Sequence, residues 1–105
     1  MNRFVLAIIA LIVLNFYGAF SNNYENAAET TYTKDVQPII EKRCSQCHNA
    51  NWADKNWMDY DTAFKHRDMI KLRVQNESMP PGNTTEMTKE ERATIIKWVD
   101  GGAKK

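Results

Sequence analysis

The sequence has few cysteines, few histidines and no excess of charge of either sign, and each shortage removes a class of protein. An ordinary structural zinc site takes four ligands, usually with a second Cys or His pair; beyond Cys44, Cys47 and His48 only His66 is left. Fourteen basic side chains face 13 acidic ones, and no basic cluster offers a face to a nucleic-acid backbone, so nucleic acid is not an expected partner. Strand pairing is missing too. Ile70-Lys71-Leu72-Arg73-Val74 alternates, but nothing elsewhere in the chain would pair with it, so it reads as helix. No βαβ pattern flanks the cysteines, which sets aside a thioredoxin-like role for them. No Cys stands near the end of the N-terminal apolar run, which excludes a lipid-modified terminus there.

That apolar run is the first thing present. Arg3 precedes Phe4 to Leu14, small residues follow, and Ala19-Phe20-Ser21 forms an A-x-A-like cleavage site before Asn22. This is the layout of a signal peptide over residues 1–21, and it predicts export to the periplasm. The competing reading is an uncleaved anchor, because the apolar stretch continues to Phe20, roughly 17 residues and the low edge for spanning a bilayer. Asn15 and the small-residue site favour cleavage. Residues 22–32 are polar, lack periodicity and read as a flexible leader, with the folded domain over residues 33–105. So short a chain builds only a marginal core by itself and normally needs a staple.

The stretch Cys44-Ser45-Gln46-Cys47-His48 supplies one. Two thiols three residues apart sit on one turn of backbone, close enough to add to the two vinyl groups of one porphyrin. The His directly after the second Cys then lies beneath the ring with an imidazole nitrogen toward the iron; C-x-x-C-H is the attachment pattern of a c-type haem. A plain disulfide would leave His48 without a purpose. A covalently held porphyrin brings a large apolar surface for helices to wrap. Export suits it, since thiols outside the cytosol must be captured before they oxidise.

The rest reads as short helices. Val36, Ile39, Ile40 and Arg43 or Cys44 recur at i, i+3, i+4 and i+7, predicting a helix from about Asp35 to Cys44. Pro38 is tolerable only in its first turn, which puts the N-cap at Asp35, or Thr33 at the earliest. Residues 49–60 read as loop. Trp52 and Trp57 there either cover a porphyrin edge, with an indole N–H toward a propionate, or pack under the loop. Thr62 to Val74 reads as helix with Asp61 as N-cap, in one piece or two because its apolar positions fit no single stripe. Thr88-Lys89-Glu90-Glu91 is a capping box; Ile95, Ile96, Trp98 and Val99 supply an apolar side, and Gly101-Gly102 ends the helix. Trp98 is expected to fill the crossing of first and last helices.

Between these helices lies Ser78-Met79-Pro80-Pro81-Gly82-Asn83. Paired prolines fix an extended path that can hold the Met79 thioether at a set distance from an iron. Met79 follows His48 by 31 residues, enough chain to cross from one face of a haem to the other. A His/Met pair is the ligand set of electron-carrying cytochromes. The plain alternative is a core or turn methionine. Met58, Met69, Met87 and His66 lack the stiffened setting.

C-x-x-C-H after an amphipathic helix, the later Met79-Pro80-Pro81-Gly82 and a terminal helix containing Trp98 resemble the class I monohaem cytochromes c, over about Thr33 to Ala103. More narrowly, Met79 to Thr84 with Met87-Thr88, Glu91-Arg92 and Trp98 is similar to the cytochrome c domain carried at the end of some bacterial membrane-bound urate oxidases. The resemblance implies an all-α, small class I cytochrome c fold, with three to five short helices wrapped around one covalent haem c. It implies Cys44 and Cys47 as the thioether residues, His48 as proximal and Met79 as distal iron ligand. Asn83 stands where small bacterial relatives hydrogen-bond the Met sulfur, though here Gly82 separates it from the prolines.

The expected function is periplasmic electron transfer, Fe(III) to Fe(II) and back, with no enzyme activity of its own. Expected partners are redox proteins: a membrane dehydrogenase or bc1-type donor, and a terminal oxidase or peroxidase acceptor. Contact with the membrane is only transient unless the signal stays uncleaved. Lys42, Arg43, Lys65, Arg67, Lys71 and Arg73 either steer acidic partners to the haem edge or are merely a solvated face. Two other classes stay open: a haem enzyme or gas sensor with a labile sixth ligand, and a membrane-tethered subunit of an oxidoreductase complex.

Overall fold

The computed structural model describes residues 29–105; the expected signal peptide and most of the expected leader lie outside the described residues. A π-helical turn, Tyr32–Val36, runs straight into α1 (Gln37–Arg43). After a long loop carrying one 3-10 turn, Ala53–Lys55, come α2 (Tyr60–Lys65) and α3 (Arg67–Gln75). A second 3-10 turn, Pro81–Asn83, leads to α4 (Lys89–Asp100). No strand occurs among the described residues, so the domain is all-α.

The first helical segment starts earlier than Asp35 or Thr33. Thr31 is the N-cap: its Oγ1 accepts the Lys34 N–H at 3.4 Å, and Asp35 Oδ2 accepts the Thr31 N–H at 2.9 Å. The cause lies at the far end of the chain. The Tyr32 and Thr33 N–H groups, which a helix start leaves without internal partners, donate to the carbonyls of Lys104 and Lys105 at 2.8 and 2.9 Å. Tyr32, expected in the leader, is instead buried in the core. Its hydroxyl donates to the Trp57 carbonyl at 2.7 Å, and its ring meets Tyr60 edge-on at 5.3 Å and Trp98 at 5.8 Å. Pro38 does fall in the first turn of α1, while Val36, Ile39 and Ile40 turn inward as their spacing predicts.

The span after the loop divides in two. Its N-cap is Asp59 rather than Asp61, because Asp59 Oδ2 accepts both the N–H and the hydroxyl of Thr62, at 3.1 and 2.7 Å. His66 leaves the helical region (φ −103°, ψ 15°) and separates α2 from α3. That break turns Ala63 inward from one axis and Ile70 and Val74 from another, so the apolar positions never formed one stripe. Residues 70–74 are helical.

α4 begins with the expected capping box: Thr88 Oγ1 accepts from Glu91 N–H at 3.1 Å, and Glu91 Oε1 accepts from Thr88 N–H at 2.9 Å. It packs along α3, and it meets the π turn through Trp98. Trp98 is fully buried, and its Nε1–H donates to the Lys104 carbonyl at 2.8 Å. Gly102, at φ 103°, reverses the chain in a conformation other residues rarely adopt, which brings Lys104 back under that indole. One core therefore joins both ends of the domain.

Burial, with the Asp59 carboxylate adding to it, pushes the Tyr32 phenol up to about 12. The neutral phenol thus contributes stability that is fully present below pH 10 and is lost as pH rises through 12. Tyr32→Phe should cost about 1–2 kcal/mol near pH 8, where the Trp57 carbonyl loses its donor. It should also remove this part of the alkaline decline. Urea unfolding of both proteins between pH 8 and 12 checks both; parallel curves would refute the assignment.

Candidate functional site

α1 ends at Arg43 with Cys44 as its C-cap, and the chain turns at once. The Cys44 carbonyl accepts from the N–H groups of Cys47 and His48, at 3.2 and 2.9 Å, so both cysteines and the histidine share one hydrogen-bonded turn. Asn49 fastens it: its Nδ2 donates to the Ser45 carbonyl at 2.8 Å, and its Oδ1 accepts from Asn51 N–H at 3.0 Å. The cysteines are not joined to each other; Cys44 is half-buried and Cys47 exposed. Burial pushes the Cys44 thiol up to about 11, against the pull of the Arg92 charge.

His48 is held by three contacts. Its Nδ1 lies 2.9 Å from the Lys55 carbonyl, which can only accept, so Nδ1 carries the proton. Trp52 and Trp57 both stack on the imidazole, at 5.0 and 4.8 Å and within 20° of parallel. Burial lowers its pKa; the carbonyl bond opposes this and the Lys55 charge adds to it. With the proton on Nδ1, Nε2 is the nitrogen left to offer its lone pair to a metal.

Beyond this turn opens a cavity of about 480 Å³. Its walls are Ile40 of α1, the Cys44–His48 turn, Trp52 and Trp57, Met69, Ile70 and Val74 of α3, the Met79-Pro80-Pro81 loop, Thr84, Thr85, and Ile95 of α4. Cys44, Cys47, His48 and Met79, singled out separately in the sequence, all line it. The other candidates divide. Met69 lines the cavity too, whereas Met58, Met87 and His66 do not; Met87 is buried in the core and His66 packs on Trp57 at 5.2 Å. Asn83 does not stand free beside Met79. Its carboxamide pairs with the Met87 backbone, accepting from the N–H at 3.0 Å and donating to the carbonyl at 3.3 Å.

The Met79 backbone is tied on both sides, its N–H donating to the Arg73 carbonyl at 3.1 Å and its carbonyl accepting from Arg92 Nη1 at 2.8 Å. Arg43 joins the end of α1 to the start of α4, through Glu91 Oε1 at 3.0 Å and the Thr85 carbonyl at 2.6 Å. Arg43 and Lys71, which pairs with Asp100, are thus ion-paired rather than free to steer a partner, and Arg67 lies over the Phe64 ring at 4.2 Å. Arg43, Lys55 and Arg73 border the cavity and no carboxylate does. A wide apolar space with thiols and one oriented imidazole at its wall, rimmed by cations, fits a flat apolar macrocycle with anionic substituents. Among the described residues no three His, Cys, Asp or Glu side chains, the Cys44–His48 turn included, are grouped so as to hold a bare metal ion. No helix among them is long and apolar enough to cross a membrane.

Sequence reasoning passed over the Lys55 carbonyl, a backbone group with no sequence signal. It also passed over Arg92, whose signal was there: Arg92 precedes Ile95 by three residues and so interrupts the apolar side of α4. Set against protein-family models, curated proteins and solved structures, the chain matches none.

Glu91 links the capping box to Arg43. Burial works to raise its pKa, but the Thr88 N–H and the Arg43 guanidinium outweigh it and hold the carboxyl below its ordinary value. Its contribution is present above about pH 4.5 and is lost as pH falls through the depressed value. Glu91→Gln should lower stability by about 1 kcal/mol at pH 7. Thermal unfolding should show the gap between the two proteins narrowing as the pH falls below about 4.5; a constant gap would refute the assignment.

Proposed function

We propose that this chain is a one-electron carrier holding one haem c covalently through Cys44 and Cys47, with His48 as proximal and Met79 as distal iron ligand. One observation carries the reading. The thiols, an imidazole already committed at Nδ1 and the Met79 thioether, from two distant parts of the chain, line one apolar cavity. On this reading the all-α domain is the small class I cytochrome c type, exported to the periplasm.

The bound group would supply an iron that accepts one electron as Fe(III) and returns it as Fe(II), with no bond made or broken. This chain's residues do the rest. The Lys55 carbonyl fixes which imidazole nitrogen faces the cavity and raises its basicity. Met79 offers a soft sulfur, which favours Fe(II) and raises the potential. Ile40, Ile70, Val74 and Ile95 keep the interior apolar. The electron comes from a reduced partner protein and leaves to an oxidised one; a membrane dehydrogenase or bc1-type donor and a terminal oxidase or peroxidase acceptor suit an exported carrier.

A second reading, a haem enzyme or sensor with a labile sixth ligand, has its own support. Met79 is 39% exposed, and Met69 lines the same cavity.

Colour should stay with the polypeptide through acid-acetone extraction, and Cys44→Ala or Cys47→Ala should sharply reduce holoprotein. Freely extracted colour would refute covalent attachment. The ferrous protein should take up carbon monoxide poorly, and the oxidised form should show a weak far-red sulfur-to-iron band. Met79→Ala should abolish the band, lower the potential and admit carbon monoxide, while Met69→Ala leaves all three unchanged. Ready uptake by the unmutated protein would move the assignment to the second reading.

A further inference from the structure

We infer that Arg92 is the positioning residue for Met79: its buried guanidinium ties the Met79 carbonyl to the end of α3 and to Asn83, and so sets where the thioether stands. Among the described residues Arg92 is the one charged residue counted among the buried ones, at 8% exposure. Its Nη1 donates to the carbonyls of Val74 and Met79, at 2.9 and 2.8 Å, and its Nη2 to Asn83 Oδ1 at 3.2 Å. Those three acceptors come from three segments: the last turn of α3, the loop before the prolines, and the 3-10 turn that begins at the second of them.

All three are uncharged. Among the described residues no carboxylate pairs with Arg92, and its neighbour Glu91 is committed to Arg43 and Thr88. A buried cation without a counterion costs stability, and an apolar side chain would serve packing better. What the guanidinium alone provides is a planar fork that several acceptors share. Met79 needs such a tie because its side chain has three rotatable bonds and defines a position only if its backbone is fixed. The Arg73 carbonyl holds the N–H side of Met79 and Arg92 the carbonyl side. The role toward an iron ligand rests on the carrier reading; the tie between segments does not.

The test compares the holoprotein with Arg92→Met and Arg92→Lys by amide hydrogen exchange, by the far-red band and by carbon monoxide uptake. In Arg92→Met the Met79 and Met87 amides should exchange about tenfold faster or more, the equivalent of one lost hydrogen bond. The amides of Ile95 to Val99 should stay as protected as in the unmutated protein. The band should disappear and carbon monoxide should bind. Added to Met79→Ala, Arg92→Met should increase uptake no further. Arg92→Lys keeps the charge and part of the bonding, so it should fold and show a weakened band with intermediate uptake.

An unchanged band and unchanged loop exchange in both variants would overturn the inference. So would loosening spread evenly along α4, which marks a packing role. If the unmutated protein lacks the band, the carrier reading fails, and the exchange comparison still decides the tie.

Discussion

A cavity of about 480 Å³ inside so short a chain is the constraint from which the rest of the structure follows. Protein interiors are close-packed, and cavity-forming substitutions lose roughly 24 cal/mol per Å³. That rate applies to enclosed voids; this cavity is partly open to solvent, and what it lacks is side-chain packing across the gap. The walls must therefore be held apart by something else.

Hydrogen bonds do this, and most start from the first turn of α4. Glu91 reaches Arg43 at the end of α1, and Arg92 reaches the end of α3, Met79 and Asn83. At the opposite end of α4, Trp98 and the carbonyls of Lys104 and Lys105 hold the π turn. One helix thus fixes α1, which presents the cysteines, and the loop that presents Met79. The spacing between them is decided by polar contacts of defined length.

The two sides of the cavity are built differently. His48 has its nitrogen fixed by a backbone carbonyl and its ring stacked by two indoles, so its orientation is set before anything binds. Met79 has a fixed backbone but a flexible, partly exposed side chain. The histidine side is preorganised, and the methionine side depends on where its loop is held. Any difference between a closed carrier site and an open sensor site lies on the methionine side.

The sequence by itself determined the local features. Thr88 and Glu91 cap one another across three residues, Val36, Ile39 and Ile40 share a face by spacing alone, and Cys44 to His48 are close enough in sequence to share one hydrogen-bonded turn. The four candidate site residues, Cys44, Cys47, His48 and Met79, were readable for the same reason, each in a distinctive local setting. What only the tertiary structure decided depends on partners far along the chain. Tyr32 enters the core where the Lys104 and Lys105 carbonyls accept the N–H groups of Tyr32 and Thr33, and His48 takes its tautomer from a carbonyl that no side chain announces. Met69 joins the cavity wall because α3 packs along α4, and Arg92 becomes a tie because three segments converge on it. Periodicity and capping are short-range effects of backbone geometry, whereas these contacts join residues whose meeting no local pattern encodes.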